Sequence, residues 1–254
     1  IATALKVERP LSSFPSIMLL WGVLNFIDNL SVFLYDERKD TGKAEANMFT
    51  DITGKKRLKV ALHVHPKLSD GRKTPEEAIA LYAAAGYDAV AITDHWKYAE
   101  AGTAEGITLL SGIEYDLTGT DFEDDTNQTF HIVALCTKHD PGLNKDEIKD
   151  TSTPIYPRVR KVVEAIRAAG GIAVLAHPAW SLNAPDQIMA AGDFDALEIY
   201  NAVSECGMSD RPYSGQIVDM LATVGTNFPL LATDDVHYYD GDEMRGITMV
   251  DAAV

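Results

Sequence analysis

Seven apolar runs rich in Val, Ile and Leu recur near residues 58–64, 88–93, 107–113, 130–136, 172–176, 195–200 and 229–233. Continuous runs of this length and composition read as strands buried on both faces, which is the signature of a parallel sheet. Helical patterns separate several of them. Thr74 ahead of Pro75 and Glu77 reads as an N-cap, and Ala78, Ile79, Leu81 and Tyr82 form the apolar stripe of a helix closed by Gly86. Tyr156 to Ala169 reads as a second helix, ended by Gly170 and Gly171, and Asp210 to Val224, ended by Gly225, as a third. Strands alternating with helices place the chain in the α/β class with a parallel sheet.

The polar residues at the ends of these runs carry the functional signal. Six of the seven histidines, with four carboxylates, fall where a strand runs out into a loop. The segments are LKVALHVHPKLSDG with His63, His65 and Asp70, AVAITDH with Asp94 and His95, TLLSGIEYD with Glu114, FHIVALC with His131, IAVLAHP with His177 and LLATDDVH with Asp235 and His237. Residues two apart in an extended strand share a face, so HxH and DxH each present two donors to one point. Imidazole with carboxylate suits Zn, Mn or Fe, whereas an all-oxygen set favours Mg or Ca. A histidine beside an apolar strand is commonly a hydrogen-bonded structural residue, but a repeated placement at the ends where α/β sheets put their active sites has no structural motive. His139, in KHDPG, follows no strand and reads as a solvated loop residue. Cys136 and Cys206 form no CxxC motif, which excludes a zinc ribbon, and two cysteines fit a reducing, cytoplasmic setting.

Between Lys59 and His237 the order HxH, SDG, GYDAVAITDH, GIEY, HIVAL, AHP, EIYN and DDVH resembles the PHP family, the polymerase and histidinol phosphatase metal-dependent phosphoesterases. The resemblance implies a distorted (β/α)7 TIM-like barrel of parallel strands with its metal site at their C-terminal ends. It implies two or three divalent ions: one held by His63, His65, Glu114 and Asp235, a second by Asp70, His95 and His237, and a third by Glu114, His131 and His177. Asp70, His95, Glu114, Asp235 and His237 would then be catalytic. Where the family's first motif often reads HTHT, this chain has HVHPKLSDG, with Pro66, Lys67 and Leu68 in place of small hydroxylated residues.

An ion cluster of this kind makes hydroxide from a bridging water near neutral pH and stabilises in-line displacement at phosphorus without a nucleophilic side chain. The expected activity is hydrolysis of a small phosphomonoester, a phosphorylated metabolite or nucleotide, to alcohol and inorganic phosphate. A nuclease acting on oligonucleotide ends and a non-catalytic metal-binding scaffold are the alternatives. Lys67, Arg72, Lys97 and Arg211, in loops after motif segments, and Asn201 in EIYN are candidate substrate contacts. Asp94, adjacent to His95, is expected to orient a ligand histidine, and Trp96 or a tyrosine nearby either to stack on a base or ring or to serve in ordinary packing.

The formal charge of −16, from 38 acidic against 22 basic residues, argues against a preference for nucleic acid, which needs clustered Lys and Arg. Residues 1–56 lie outside the motif set and read as an N-terminal extension or small subdomain packed on a barrel spanning 57–254. Their apolar stretch IMLLWGVLNFI, of about 11 residues, is short of the roughly 20 that cross a bilayer. No small-residue cleavage site follows it, so neither a membrane span nor a signal peptide is expected. Barrels of this type often carry a further C-terminal element, which is expected to be missing or trimmed after GITMVDAAV.

Overall fold

A computed structural model describes residues 31–34, 49–121, 126–205 and 209–251. The strands are β1 Ser31–Leu34, β2 Phe49–Thr50, β3 Lys56–Ala61, β4 Ala89–Ala91, β5 Gly102–Ala104, β6 Ile107–Leu110, β7 Gly112–Gly119, β8 Gln128–Leu135, β9 Ile172–Leu175, β10 Ala196–Asn201, β11 Leu230–Thr233 and β12 Gly246–Asp251. The helices are α1 Pro75–Ala84, α2 Lys145–Ile148, α3 Ile155–Ala168, α4 Pro178–Ser181, α5 Pro185–Ala191 and α6 Gly215–Thr223.

All seven expected runs contain strands, but these assemble into two sheets rather than one closed parallel barrel. The first sheet has the order β1-β12-β3-β4-β6-β5, with β2 also on β3, and the second has the order β11-β10-β9-β8-β7. β3, β4 and β6 are mutually parallel, as are β9, β10 and β11. β8 runs antiparallel to both β7 and β9, so the sheet is mixed where an all-parallel one was expected. Two causes are visible. β7 and β8 are consecutive, and no helix lies between them among the described residues to reverse the chain. The 107–113 run breaks at Ser111, and its two parts join different sheets. At that crossing a Cβ on Gly112 would lie 2.5 Å from the Ile92 carbonyl oxygen, which only glycine avoids.

The sheets meet at two short seams. At one, Val64 bridges Val236, with the His65 amide donating to the Val236 carbonyl at 3.0 Å and the Asp235 amide to the His63 carbonyl at 2.9 Å. At the other, His95 bridges Glu114, and the Trp96 amide donates to the Glu114 carbonyl at 3.0 Å. Candidate ligands therefore occupy the seams.

Packing follows the sequence pattern. Val60, Leu62, Ala89 and Ala91 of the first sheet meet Val133, Leu135, Val174, Ala196 and Leu231 of the second in one interior cluster. Outside it, α1 lays Ala78, Ile79 and Tyr82 on the first sheet, and α3 lays Ile155, Val159, Val162, Val163 and Ile166 on the second. Each fully buried Val, Ile or Leu contributes about 1.5–3 kcal/mol. Helix α1 starts where expected: Thr74 Oγ1 accepts the Glu77 amide while the Glu77 carboxylate accepts the Thr74 amide, a capping box. Gly86, at φ 74°, supplies the left-handed residue that ends it. The expected Asp210–Val224 helix is shorter, because Tyr213 first bridges Tyr200 in an extended turn through Pro212. The expectations for residues 1–30 and 35–48 lie outside the described residues. β1 pairs antiparallel with β12, a strand whose GITMVD segment was not singled out in the sequence. Among the described residues no helix is long and apolar enough to cross a membrane.

Candidate metal centre

Three of the strand ends that carry site residues leave the extended region abruptly. Trp96 (φ 57°), His177 (φ 29°) and Asp235 (φ 52°) all have positive φ, uncommon for residues with a Cβ and costing of order 1–3 kcal/mol each. The surrounding packing holds these turns, and they aim the adjoining side chains into one mouth. DxH does not follow the alternation expected of it: β11 ends at Thr233, and the turn at Asp235 replaces the extended geometry.

The structure brings all nine expected ligands together. One group is His63, His65, Glu114 and Asp235, a second His65, Asp70, His95 and His237, and a third His95, Glu114 and His131, each with donor atoms within 4.8 Å of one another. His65, His95 and Glu114 each belong to two groups. His177 reaches the same place, its Nε2 lying 3.6 Å from Glu114 Oε1 and 3.7 Å from Asp235 Oδ2. The expected partition differs in detail, since His65 joins the second group and His95 stands beside His131 in the third.

Atomic contacts decide what the cluster fits. His63 Nε2 lies 3.3 Å from Glu114 Oε2 and 3.1 Å from Asp235 Oδ1, and His65 Nε2 lies 3.1 Å from both carboxylate oxygens. His95 Nδ1 is 3.1 Å from the same Glu114 oxygen. Yet His63 Nε2, His65 Nε2, His95 Nδ1, Glu114 Oε2 and Asp235 Oδ1 are buried without an aligned hydrogen bond. Buried polar atoms are rarely left so. A tetrahedral shell with bonds of about 2.0–2.2 Å sets neighbouring donors about 3.3–3.6 Å apart, close to these spacings. The donor set therefore fits a divalent cation.

The opposite ring nitrogens are held. His63 Nδ1 lies 2.7 Å from Glu198 Oε1, and His237 Nδ1 lies 2.6 Å from the Asp235 carbonyl oxygen, so each ring donates from Nδ1 and keeps Nε2 for the site. His177 Nδ1 faces Ser181 Oγ at 3.2 Å. Asp70 is placed by the SDG turn: a Cβ on Gly71 would lie 1.7 Å from the His65 carbonyl oxygen. Asp94 does not touch a histidine ring; its Oδ1 accepts the Ser69 amide at 2.7 Å and hydroxyl at 2.6 Å, holding the loop that carries Asp70.

Without an ion the cluster is a buried ion-pair network. Burial opposes charge on His65, but the adjoining Asp235 and Glu114 carboxylates outweigh it and push the ring up to about 9. His63 is likewise raised well above its ordinary value, burial again being outweighed by Asp235, Glu114 and Glu198. Glu114 is held well below the usual carboxylate range: burial opposes this, and His63, His131 and His95 overcome it.

A cavity of about 240 Å³ opens on the cluster, lined by Asp70, His95, Glu114, His131, His177, Trp180, Val203, Ser204, Asp235, His237 and Tyr238. No Lys or Arg lines it among the described residues. Arg72 sits behind the wall, its guanidinium 4.8 Å from the centre of the Tyr238 ring, and Arg211 donates to the Trp180 carbonyl. Lys67 is exposed and does not line the cavity, and Lys97 lines a separate groove with Trp96 and Tyr98. Trp96 does not stack toward the cavity; its Nε1 donates to Asp116. Asn201 is not a wall residue but is buried, donating to Glu198 at 2.9 Å and Asp235 at 3.1 Å. His139 is exposed.

Sequence reading missed Glu198 and Trp180. A glutamate inside the apolar run ALEIY must be paired when buried, and that was the available signal. Trp180, three residues beyond His177, packs edge-on to that ring with centroids 5.0 Å apart.

Residues 61–145 match the family model described as PHP domain. The matched segment holds His63, His65, Asp70, His95, Glu114 and His131, and the remaining site residues lie beyond it. Among solved structures, a two-domain protein from Bacteroides vulgatus, described as containing a predicted PHP-like metal-dependent phosphoesterase, is similar at TM-score 0.53 and 17% identity. The similarity covers 83% of this chain and 63% of that one, and it is a likeness of fold. An amidohydrolase from Chromobacterium violaceum, with bound sulfate and no metal, is similar at TM-score 0.47 and 19% identity, covering 72% of this chain and 89% of that one. No curated protein matches the chain.

Proposed function

We propose that this protein is a metal-dependent phosphoesterase that hydrolyses a small phosphomonoester to an alcohol and inorganic phosphate. The observation that carries the reading is the convergence of five buried, unaligned donor atoms of His63, His65, His95, Glu114 and Asp235, the last three of which line one cavity. Divalent ions of the Zn, Mn or Fe type, two or three in number, would supply Lewis acidity and an activated water there. His63, His65, Glu114 and Asp235 would hold one, and Asp70, His95 and His237, joined by His65, another. His131 and His177 complete the wall beside Glu114.

The remaining chemistry belongs to the chain. At about 240 Å³ the cavity is smaller than most drug-sized sites, which favours a phosphate with a small alcohol over a polymer end. With no Lys or Arg in the wall, the ions themselves would neutralise the phosphate, and the acidic surface would disfavour long polyanions. Trp180, Val203 and Tyr238 would exclude water around the leaving group. Such an enzyme, working in the cytoplasm, would bind its phosphorylated substrate and inorganic phosphate.

The test is turnover by purified protein loaded with Mn or Zn over p-nitrophenyl phosphate, nucleotides, sugar phosphates and phosphoamino acids. Metal-dependent release of phosphate supports the reading, and metal binding with no release from any of them favours a scaffold instead. Cleavage of single-stranded DNA ends, weakening steeply with salt, would point to a nuclease.

A further inference from the structure

Strand β10 supplies none of the nine expected ligands, yet it carries a buried carboxylate, outside that set, that touches two of them. Glu198 Oε1 lies 2.7 Å from His63 Nδ1. Its Oε2 accepts the backbone amide of His177 at 2.9 Å and Asn201 Nδ2 at 2.9 Å. Asn201 Nδ2 also donates to Asp235 Oδ2 at 3.1 Å, and Asn201 Oδ1 is occupied by the Ser204 amide and hydroxyl. Glu198 and Asn201 are each 1% exposed.

We infer that Glu198, with Asn201, is a positioning element that sets the tautomer of His63 and the placement of Asp235 and the neighbouring His177, and thereby governs affinity at the metal position of His63 and Asp235. The inference rests on the proposed metal binding but not on phosphoester hydrolysis. A carboxylate is an acceptor only. Its oxygens can be satisfied here only if His63 carries its proton on Nδ1, which leaves Nε2, the atom without an aligned hydrogen bond, as the donor to an ion. The other Glu198 oxygen, Oε2, fixes the His177 amide at the positive-φ turn, and Asn201 extends the hold to the carboxylate of a third strand end. Ligands from β3, β9 and β11 are thus tied to one side chain on β10.

Glu198→Gln keeps the size of the side chain but replaces one acceptor oxygen with an NH₂ group. If that group faces His63, Nδ1 must accept and the proton moves to Nε2, blocking the ligand atom. If it faces the other way, it meets the His177 and Asn201 donors. Either orientation costs metal affinity, by about 10–100-fold as outer partners of ligand histidines typically do. The experiment is Zn titration of the full chain against a competing chelator, wild type beside Glu198→Gln, with far-UV dichroism as the check on folding. A loss of at least tenfold in affinity, or of one bound equivalent, in a folded variant supports the inference. Equal affinity and stoichiometry overturn it.

A second readout needs no variant. In the ¹⁵N-histidine spectrum of the Zn-loaded wild type, His63 should show a protonated Nδ1 and a metal-shifted Nε2. A proton on Nε2, or coordination through Nδ1, overturns the inference even if Glu198→Gln does not fold. Tight Zn binding with the expected His63 signature but no phosphatase turnover would leave this positioning role standing and remove only the proposed reaction.

Discussion

The carboxylates of Glu114 and Asp235, 121 residues apart in sequence, both place an oxygen 3.1 Å from the same nitrogen, His65 Nε2. Both come from the second sheet, one from β7 and the other from the turn after β11, while His65 follows β3 of the first sheet, so the contact exists only when the two sheets are docked. The site is therefore a product of the whole fold, and predictions about it separate from predictions about local stability.

His65→Ala and Asp235→Ala should each abolish turnover and lower bound metal while leaving the far-UV dichroism near that of the wild type. His139→Ala, at an exposed loop position, should change neither activity nor metal content. Retained activity in the first two variants refutes the ligand assignment.

The raised ring of His65 gives a pH signature with a definite sign. Its folded value, about 9, exceeds the unfolded value of 6.5, so the stability it contributes is complete below pH 6.5 and is lost as pH rises through about 9. His63 shifts in the same direction. Glu114 and Asp235 are lowered, so their contribution is present above the ordinary carboxylate range and is lost on acidification. Metal-free protein should therefore melt at progressively lower temperature from pH 6.5 to 9. Metal affinity should rise over the same interval as proton competition falls, and binding at pH 7 should release protons. Melting curves with and without chelator, and calorimetry in buffers of different ionisation enthalpy, measure both. A flat metal-free profile over that interval contradicts the ion-pair network.

Gly71→Ala should be disproportionately damaging for so small a change. The new Cβ would sit 1.7 Å from a backbone oxygen of His65, so the SDG turn must move and carry Asp70 with it. The expected cost is about 2–4 kcal/mol in urea unfolding together with weakened metal binding. Thr74→Ala, which removes the capping box of α1, should cost about 1 kcal/mol and leave metal content unchanged.

Trp180→Ala should act on substrate rather than on metal. The indole walls the cavity and packs on His177 and His131 with ring centroids 5.0 and 5.6 Å away. Loss of an aromatic contact worth about 0.5–1.5 kcal/mol should raise KM for an aromatic phosphomonoester by up to about tenfold, with metal stoichiometry intact. An unchanged KM would place the leaving group elsewhere.

Much of this was legible in the sequence because burial leaves a strong compositional trace. The apolar runs marked the strands of the interior, and the Thr74-Pro75-Glu77 pattern marked the start of α1. The histidines and carboxylates at the run ends marked the site. Strand direction was not legible: Phe130–Leu135 has the composition of a buried parallel strand, and only the pairing of Glu114 with Val133 across the β7–β8 hairpin makes it antiparallel. Nor was the shape of the strand ends, since nothing in LLATDDVH announces the positive φ of Asp235. Glu198 was hidden for another reason. Its partners come from β3 and the turn after β9, and a hydrogen bond spanning 135 residues has no local periodicity.

Elemental analysis of the purified full chain, paired with anomalous diffraction at the metal edge, tests the central claim most directly. At least two equivalents of Zn, Mn or Fe, one of them within about 2.0–2.3 Å of His63 Nε2, His65 Nε2, Glu114 and Asp235, is the expected result. Substoichiometric metal after reconstitution, or ions bound away from these atoms, would contradict it.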